Sequence, residues 1–228
     1  PPSFPHGAGV PAYDFLPPSA LYDFNSALQP PPLHSAPQSA SPHPESAALR
    51  RLPPPLRPGL PLSALAPMQD VTDLAFFGVS AHYGAPDYFV TEFFREPATS
   101  RLEAHIVRSV TENRTGRPVF AQLSGESLPD LAPAAAELLK HPITGIDLNL
   151  GCPAPKIYRK NVGGGLHRAL TKVAAILATL RAATPGLFTV KPRLALADGA
   201  TFDLLLDLVG HHGADLLSVH CRSVKELY

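Results

Sequence analysis

The chain has 228 residues, 45% of them apolar, and 19 basic side chains balance 19 acidic ones, so its formal charge is zero. That balance makes no whole-chain electrostatic case for a nucleic-acid partner. Two cysteines are too few for a disulfide framework and lack zinc-type spacing, and no apolar run approaches the roughly 20 residues that span a bilayer. The expectation is a monomer in a reducing, cytoplasmic setting with no membrane contact and no metal. The first residues show neither a secretory signal nor a mitochondrial presequence. They also lack an initiator methionine, which points to a cut or partial chain.

More than half of the 28 prolines fall before Leu62, in a stretch without lysine or arginine before Arg50 and without any helical or strand period. Residues 1–58 are therefore expected to form a disordered arm, and 59–228 the folded part. From there strand-like and helix-like segments alternate. A strand over Leu62–Met68 precedes a helix over Thr72–Tyr83, capped by Thr72 or Asp73 and stopped by Gly84. A second strand, Asp87–Thr91, leads to an amphipathic segment over Pro97–Asn113.

The third strand is Pro118–Leu123, followed by a helix over Leu128–Lys140 begun by Ser127. The fourth, Gly145–Leu150, has apolar residues on both faces and stops at Gly151-Cys152-Pro153. A long turn, Gly151–Gly165, precedes a helix over Leu166–Ala183. The fifth strand is Leu187–Leu194, its helix Phe202–His211, and the sixth strand Leu216–Cys221.

About six βα units with doubly covered strands imply a parallel sheet with helical crossovers. No GxGxxG follows the first strand. Polar or reactive residues instead close nearly every strand: Met68, Glu92, Gln122, Asn149 with Cys152, Lys191 with Arg193, and His220 with Arg222. A ring of contributing strands is the habit of a (β/α)8 barrel, so an incomplete TIM barrel is expected. Between Leu148 and Ala197 there is no acidic residue but eight basic ones, which would make the mouth near Cys152 positive.

Taken together, APMQDVTD (66–73), TEF (91–93), QLSGES (122–127), LNLGCPAPKIYRKNVGGGL (148–166), VKPR (190–193) and VHCRS (219–223) resemble the tRNA-dihydrouridine synthases. The resemblance runs in order from about Leu62 to Tyr228. It implies a flavin enzyme in which FMN, reduced by NADPH, passes a hydride to carbon 6 of a tRNA uracil while Cys152 protonates carbon 5. Pro67, Met68 and Gln69 would flank the flavin. Gln122 would read the far edge of its ring, Lys191 would face the edge that gains negative charge, and His220 would add a contact. Asn149 and Arg193 would meet the target uracil, and Lys156, Arg159 and Lys160, with Arg168, the tRNA phosphates.

The physical rationale stands beside the resemblance. A thiol, with an ordinary pKa of about 8.5, keeps the proton that a general acid needs near neutral pH. A lysine inside an apolar strand is costly unless function or a partner holds it there. Gly163-Gly164-Gly165 suits a close backbone approach, a mobile loop or a helix start.

Two departures stand out: Pro192 removes an N–H from a central strand, and Cys221 replaces a small residue. A further expectation is that two barrel strands and a helical tRNA-binding domain are missing, which would weaken FMN binding. The rival readings are a dihydroorotate-dehydrogenase-like flavin barrel and a silent remnant that only binds RNA.

Overall fold

A computed structural model of the protein describes residues 53, 56, 60–95, 102–194 and 199–226, all within one compact unit, Pro42–Tyr228. Almost all of the proline-rich arm expected over 1–58 lies outside the described residues. Leu56 is the exception of consequence: it is buried among Tyr88, Val90, Phe120 and Leu187, so packed structure reaches back into that segment.

The elements in chain order are β1 (Ala64–Leu65), α1 (Leu74–Gly84), β2 (Tyr88–Val90), β3 (Phe94–Arg95), α2 (Ala104–Thr111), β4 (Val119–Ser124), α3 (Leu128–Leu138), β5 (Gly145–Leu150), α4 (Pro155–Arg159), a 3-10 helix (Gly163–Arg168), α5 (Leu170–Ala183), β6 (Leu187–Pro192), α6 (Gly199–His211) and β7 (Leu216–Leu217). All strands run parallel, in the order β1-β2-β4-β5-β6-β7, with β3 also paired to β4. The sheet is curled. Tyr88 on β2 shares a hydrogen bond with Ser218, just past β7, although a flat sheet would hold those strands about 19 Å apart at about 4.8 Å per spacing. The fold is an incomplete α/β TIM barrel.

Strand parity sorts the residues into two cores. Ala121 and Leu123 of β4, Ile146, Leu148 and Leu150 of β5, and Phe188 and Val190 of β6 point outward to the helices. They meet Leu131, Ala134, Ala135 and Leu138 of α3 and Val173, Ile176, Leu177 and Leu180 of α5. Both sets follow the i, i+3, i+4, i+7 spacing of a single helical face, and each large side chain so buried contributes about 1.5–3 kcal/mol. Facing inward, Phe120 and Leu187 form an apolar floor with Leu56, Tyr88 and Val90. Gly145 shares that floor because a Cβ there would stand 2.3 Å from the Leu187 carbonyl oxygen.

Three local differences from the expected elements have physical causes. The second strand is broken: Val90 pairs with Phe120 and Phe94 with Leu123, so one strand spends an extra residue and forms a bulge at Thr91–Phe93. The turn after β5 contains α4, begun by Pro155 at a position where a missing N–H is harmless. Pro192 is the last residue of β6. Its carbonyl accepts from His220 as that of Val190 does from Ser218, so the absent N–H faces β7, the edge strand, which ends at Leu217. Asp73, one of the two expected caps, starts α1 by accepting from the Phe76 N–H at 2.9 Å. No helix among the described residues is long and apolar enough to cross a membrane.

Candidate active site

Above the apolar floor the inward residues turn polar, layer by layer. Register aligns Gln122 with Asp147 and Asp147 with Thr189, and one layer higher Asn149 with Lys191. These side chains bond to one another. Gln122 donates to Asp147 at 2.7 Å, Thr189 donates to Asp147 at 2.5 Å, and Asn149 donates to Gln122 at 2.8 Å. The Asn149 side-chain oxygen then accepts from the Gly151 and Cys152 backbone N–H groups, each at 3.0 Å. The strand's last amide therefore fixes the turn that carries the thiol.

Glycines brace that turn from the other side. A Cβ on Gly163, which has φ +55, would stand 2.9 Å from the Cys152 Cβ, and one on Gly164 would stand 2.8 Å from Val224. The Gly164 N–H donates to the Cys152 carbonyl at 3.0 Å. Of the three roles open to the glycine run, two are observed together: close backbone approach, and the start of a 3-10 helix at Gly163. Arg193 closes the ring by donating to the Gly151 carbonyl at 2.9 Å and the Ser223 carbonyl at 3.2 Å.

The first loop is tied down by Glu92, which the bulge turns inward. Its carboxylate accepts from the Val71 N–H at 2.9 Å and from Gln69 at 3.4 Å. Burial pushes the Glu92 carboxyl above its ordinary range, against the pull of the Val71 hydrogen bond and of His105. The bulge also strips Gln122 of a backbone acceptor, and the Thr91 hydroxyl replaces it at 3.1 Å.

Two opposite charges stand on neighbouring strands, Asp147 on β5 and Lys191 on β6. Burial pushes the Asp147 carboxyl up, while hydrogen bonds from Gln122 and Thr189 and the Lys191 charge oppose the rise. Burial pushes the Lys191 ammonium down; Asp147 opposes this and Arg193 adds to it. In each case the partner's charge offsets burial only in part. His220 is held below its ordinary value by burial and by Arg193, Lys191 and Arg222, which favours the neutral imidazole.

Over these layers opens a cavity of about 730 Å³, inside the range of small-molecule sites. Cys152, Gln122, Lys191 and Asn149 line it, as do Arg193 and His220. Pro67, Met68, Gln69 and the exposed Lys156 line it as well. Arg159 and Lys160 do not line it; they are exposed at the end of α4. Arg168 is also elsewhere engaged: its guanidinium stacks on Tyr158, 4.2 Å from the ring centroid, and donates to the Tyr158 carbonyl at 2.7 Å and to Asn161 at 2.6 Å.

The cavity suits a planar, partly anionic ring. It offers an apolar wall, a cation and amides, and the Gln69 side-chain oxygen is buried there with no hydrogen-bond partner among the described residues. Gln122 is wholly buried and already bonded on both sides of its amide, which leaves it one N–H and one lone pair for a ligand. Asp147, Thr91 and His167 were not singled out from the sequence. A carboxylate within an apolar strand was the available signal for Asp147.

A family model described as "Dihydrouridine synthase (Dus)" matches residues 64–228. A probable tRNA-dihydrouridine synthase of Staphylococcus aureus (strain COL) is 33% identical over 170 residues, 73% of this chain and 51% of that protein. A tRNA-dihydrouridine(16) synthase of Neisseria meningitidis serogroup A is 33% identical over 172 residues, 72% and 52% of the two. The chain thus spans about half the length of the curated relatives it matches. A GH18 chitinase from Pseudoalteromonas aurantia superposes with a TM-score of 0.44 at 14% identity, covering 69% of this chain and 66% of that one, a likeness too slight to carry an argument. With the family match running from the first strand through the last and enclosing the thiol turn, the chain belongs to the dihydrouridine synthase family.

Proposed function

We propose that this chain carries out the reduction of a uracil ring in tRNA to 5,6-dihydrouridine, with Cys152 as proton donor. One observation carries the reading: a free thiol, an ammonium and buried amides from three adjacent strands, β4 to β6, meet at one cavity. Bound FMN, recharged by NADPH, would supply the hydride that adds to carbon 6 of the base.

Pro67, Met68 and Gln69 would hold one side of that group, with Gln122, Lys191 and His220 at its polar edge. Loss of the carbon 5–carbon 6 double bond leaves negative charge on the base. The cations of Lys191 and Arg193 stabilise it from fixed positions in a low-dielectric site. Cys152 then gives its thiol proton to carbon 5, and the thiolate regains a proton from solvent.

Asn149 has one amide hydrogen left for a base edge after holding the Cys152 turn. A base inside folded tRNA must be turned out to reach this depth, and Lys156, with Arg159 and Lys160 beyond the rim, would meet the flanking phosphates. A cytoplasmic setting keeps the thiol reduced.

The test is dihydrouridine content in unmodified tRNA incubated with the chain, FMN and NADPH. Cys152→Ala should lower the rate at least about 100-fold, the usual scale for a lost general acid, while leaving bound flavin absorbance intact. A Cys152→Ala protein as fast as the parent would remove the proton-donor role.

A further inference from the structure

Asp147 is the buried carboxylate of the β5 inner face, and neither the cofactor contacts nor the substrate contacts above include it. It stands at one end of a continuous hydrogen-bond relay: Gln122 to Asp147 at 2.7 Å, Asn149 to Gln122 at 2.8 Å, and the Gly151 and Cys152 N–H groups to Asn149 at 3.0 Å. Both ends are chemically fixed. Both Asp147 oxygens accept, from Gln122 and Thr189, and a backbone N–H only donates, so each of the two amides between them has a single orientation that satisfies every bond.

Reversing either amide would bring oxygen against oxygen or N–H against N–H in a buried layer. Lys191 and Thr189 hold Asp147 in place, the hydroxyl by its hydrogen bond and the ammonium by its charge.

We propose that Asp147 is a positioning residue: its carboxylate orients the Gln122 and Asn149 amides and through them holds Cys152 at the cavity wall. The inference rests on the proposed function only in taking Cys152 as the reactive group. A role as plain counter-ion to Lys191 would need the charge but not the order of donors and acceptors. A role in packing would need neither.

A double-mutant cycle separates the relay from a role in packing. In a Cys221→Ser background of the full chain, Cys152 is the sole cysteine, and its alkylation by iodoacetamide is followed from pH 6 to 10. Asn149→Ala cuts the relay beside the thiol and sets the scale, expected at fivefold or more in the limiting rate.

Gln122→Glu places two carboxylates in contact and should move the profile by a comparable factor. Adding Asp147→Asn to it should bring the profile back within twofold of the background. The new amide at position 147 then donates to the new carboxylate at position 122, which still accepts from Asn149.

Unchanged profiles throughout would overturn the relay, as would a double variant as far from the background as Gln122→Glu alone. If Gln122→Glu fails to fold, by near-ultraviolet circular dichroism, a folded double variant with the background profile supports the relay. An unfolded double variant overturns it. Rescue in a chain that reduces no tRNA would sink the proposed function and leave the relay standing.

Discussion

His167 is buried beneath the thiol turn, with Nε2 2.7 Å from the Leu150 carbonyl and Nδ1 buried without a hydrogen-bond partner among the described residues. A carbonyl only accepts, so Nε2 carries the hydrogen and Nδ1 is bare. Burial holds the imidazole below its ordinary 6.5, opposed by the Leu150 hydrogen bond. A depressed folded pKa means that the stabilisation is fully present above 6.5 and is lost as pH falls toward the folded value, by at most about 1.4 kcal/mol per pH unit. Melting temperature should therefore drop from pH 7.5 to pH 5, and the drop should shrink in His167→Gln, whose amide can still donate to Leu150. An equal drop in both proteins would assign the acid sensitivity elsewhere. Lys191 makes a second prediction at this scale. Lys191→Met removes the cation that offsets the burial of Asp147 and should lower the midpoint of urea unfolding. Adding Asp147→Asn should recover most of that loss.

The bulge between β2 and β3 and the glycine-braced turn after β5 are the two elements that convert a plain parallel strand order into a site. Thr91 is the hinge of the first, since its hydroxyl accepts from the Gln122 N–H and donates to the Glu92 carbonyl at 2.7 Å. Thr91→Val keeps the volume and strands both groups, which should cost about 1–3 kcal/mol of stability. Thr91→Ser should retain most of it, and equal denaturation midpoints for Val and Ser would show that the hydroxyl is dispensable. None of this was legible in the sequence, because a bulge exists only once two registers are known. Asp147 is harder to read: in Ile-Asp-Leu-Asn-Leu the alternation puts Asp147 and Asn149 on one face, but only the register with Gln122 and Thr189 shows which side chains they meet. The placement of Cys152 and Lys191 at the cavity was legible because a reactive group at a strand's exit, or a charge within an apolar run, is costly without a purpose. The parallel sheet was legible from alternation, and the barrel from the polar residues that close nearly every strand. Arg168 shows the limit of reading charge without partners, since its guanidinium is committed to Tyr158 and Asn161.

Across the whole molecule the neutral formal charge conceals a sorting of partners. Arg181 is tied to Asp215 at 2.9 Å and Lys172 to Glu126 at 2.5 Å, while on helix surfaces Arg108 pairs with Glu112 and Lys140 with Glu137. Lys156 and Arg159 lie on α4 and Lys160 caps it, with Lys156 alone of the three lining the cavity, and none forms an ion pair with a carboxylate among the described residues. Cations already paired release few counterions when a polyanion approaches, whereas unpaired ones release about 0.7–0.9 per phosphate neutralised. On the proposed function these three should therefore carry a disproportionate share of the salt dependence of tRNA binding. Replacing all three by Gln should lower the slope of log K against log salt by about 2, with melting temperature unchanged because exposed surface charges contribute little to stability. Replacing Lys140, Arg108 and Lys172 by Gln removes the same formal charge from paired positions and should leave the slope nearly as it was. Equal slope changes in the two triple variants would mean that the protein attracts tRNA by diffuse charge, and α4 would lose its place in the site.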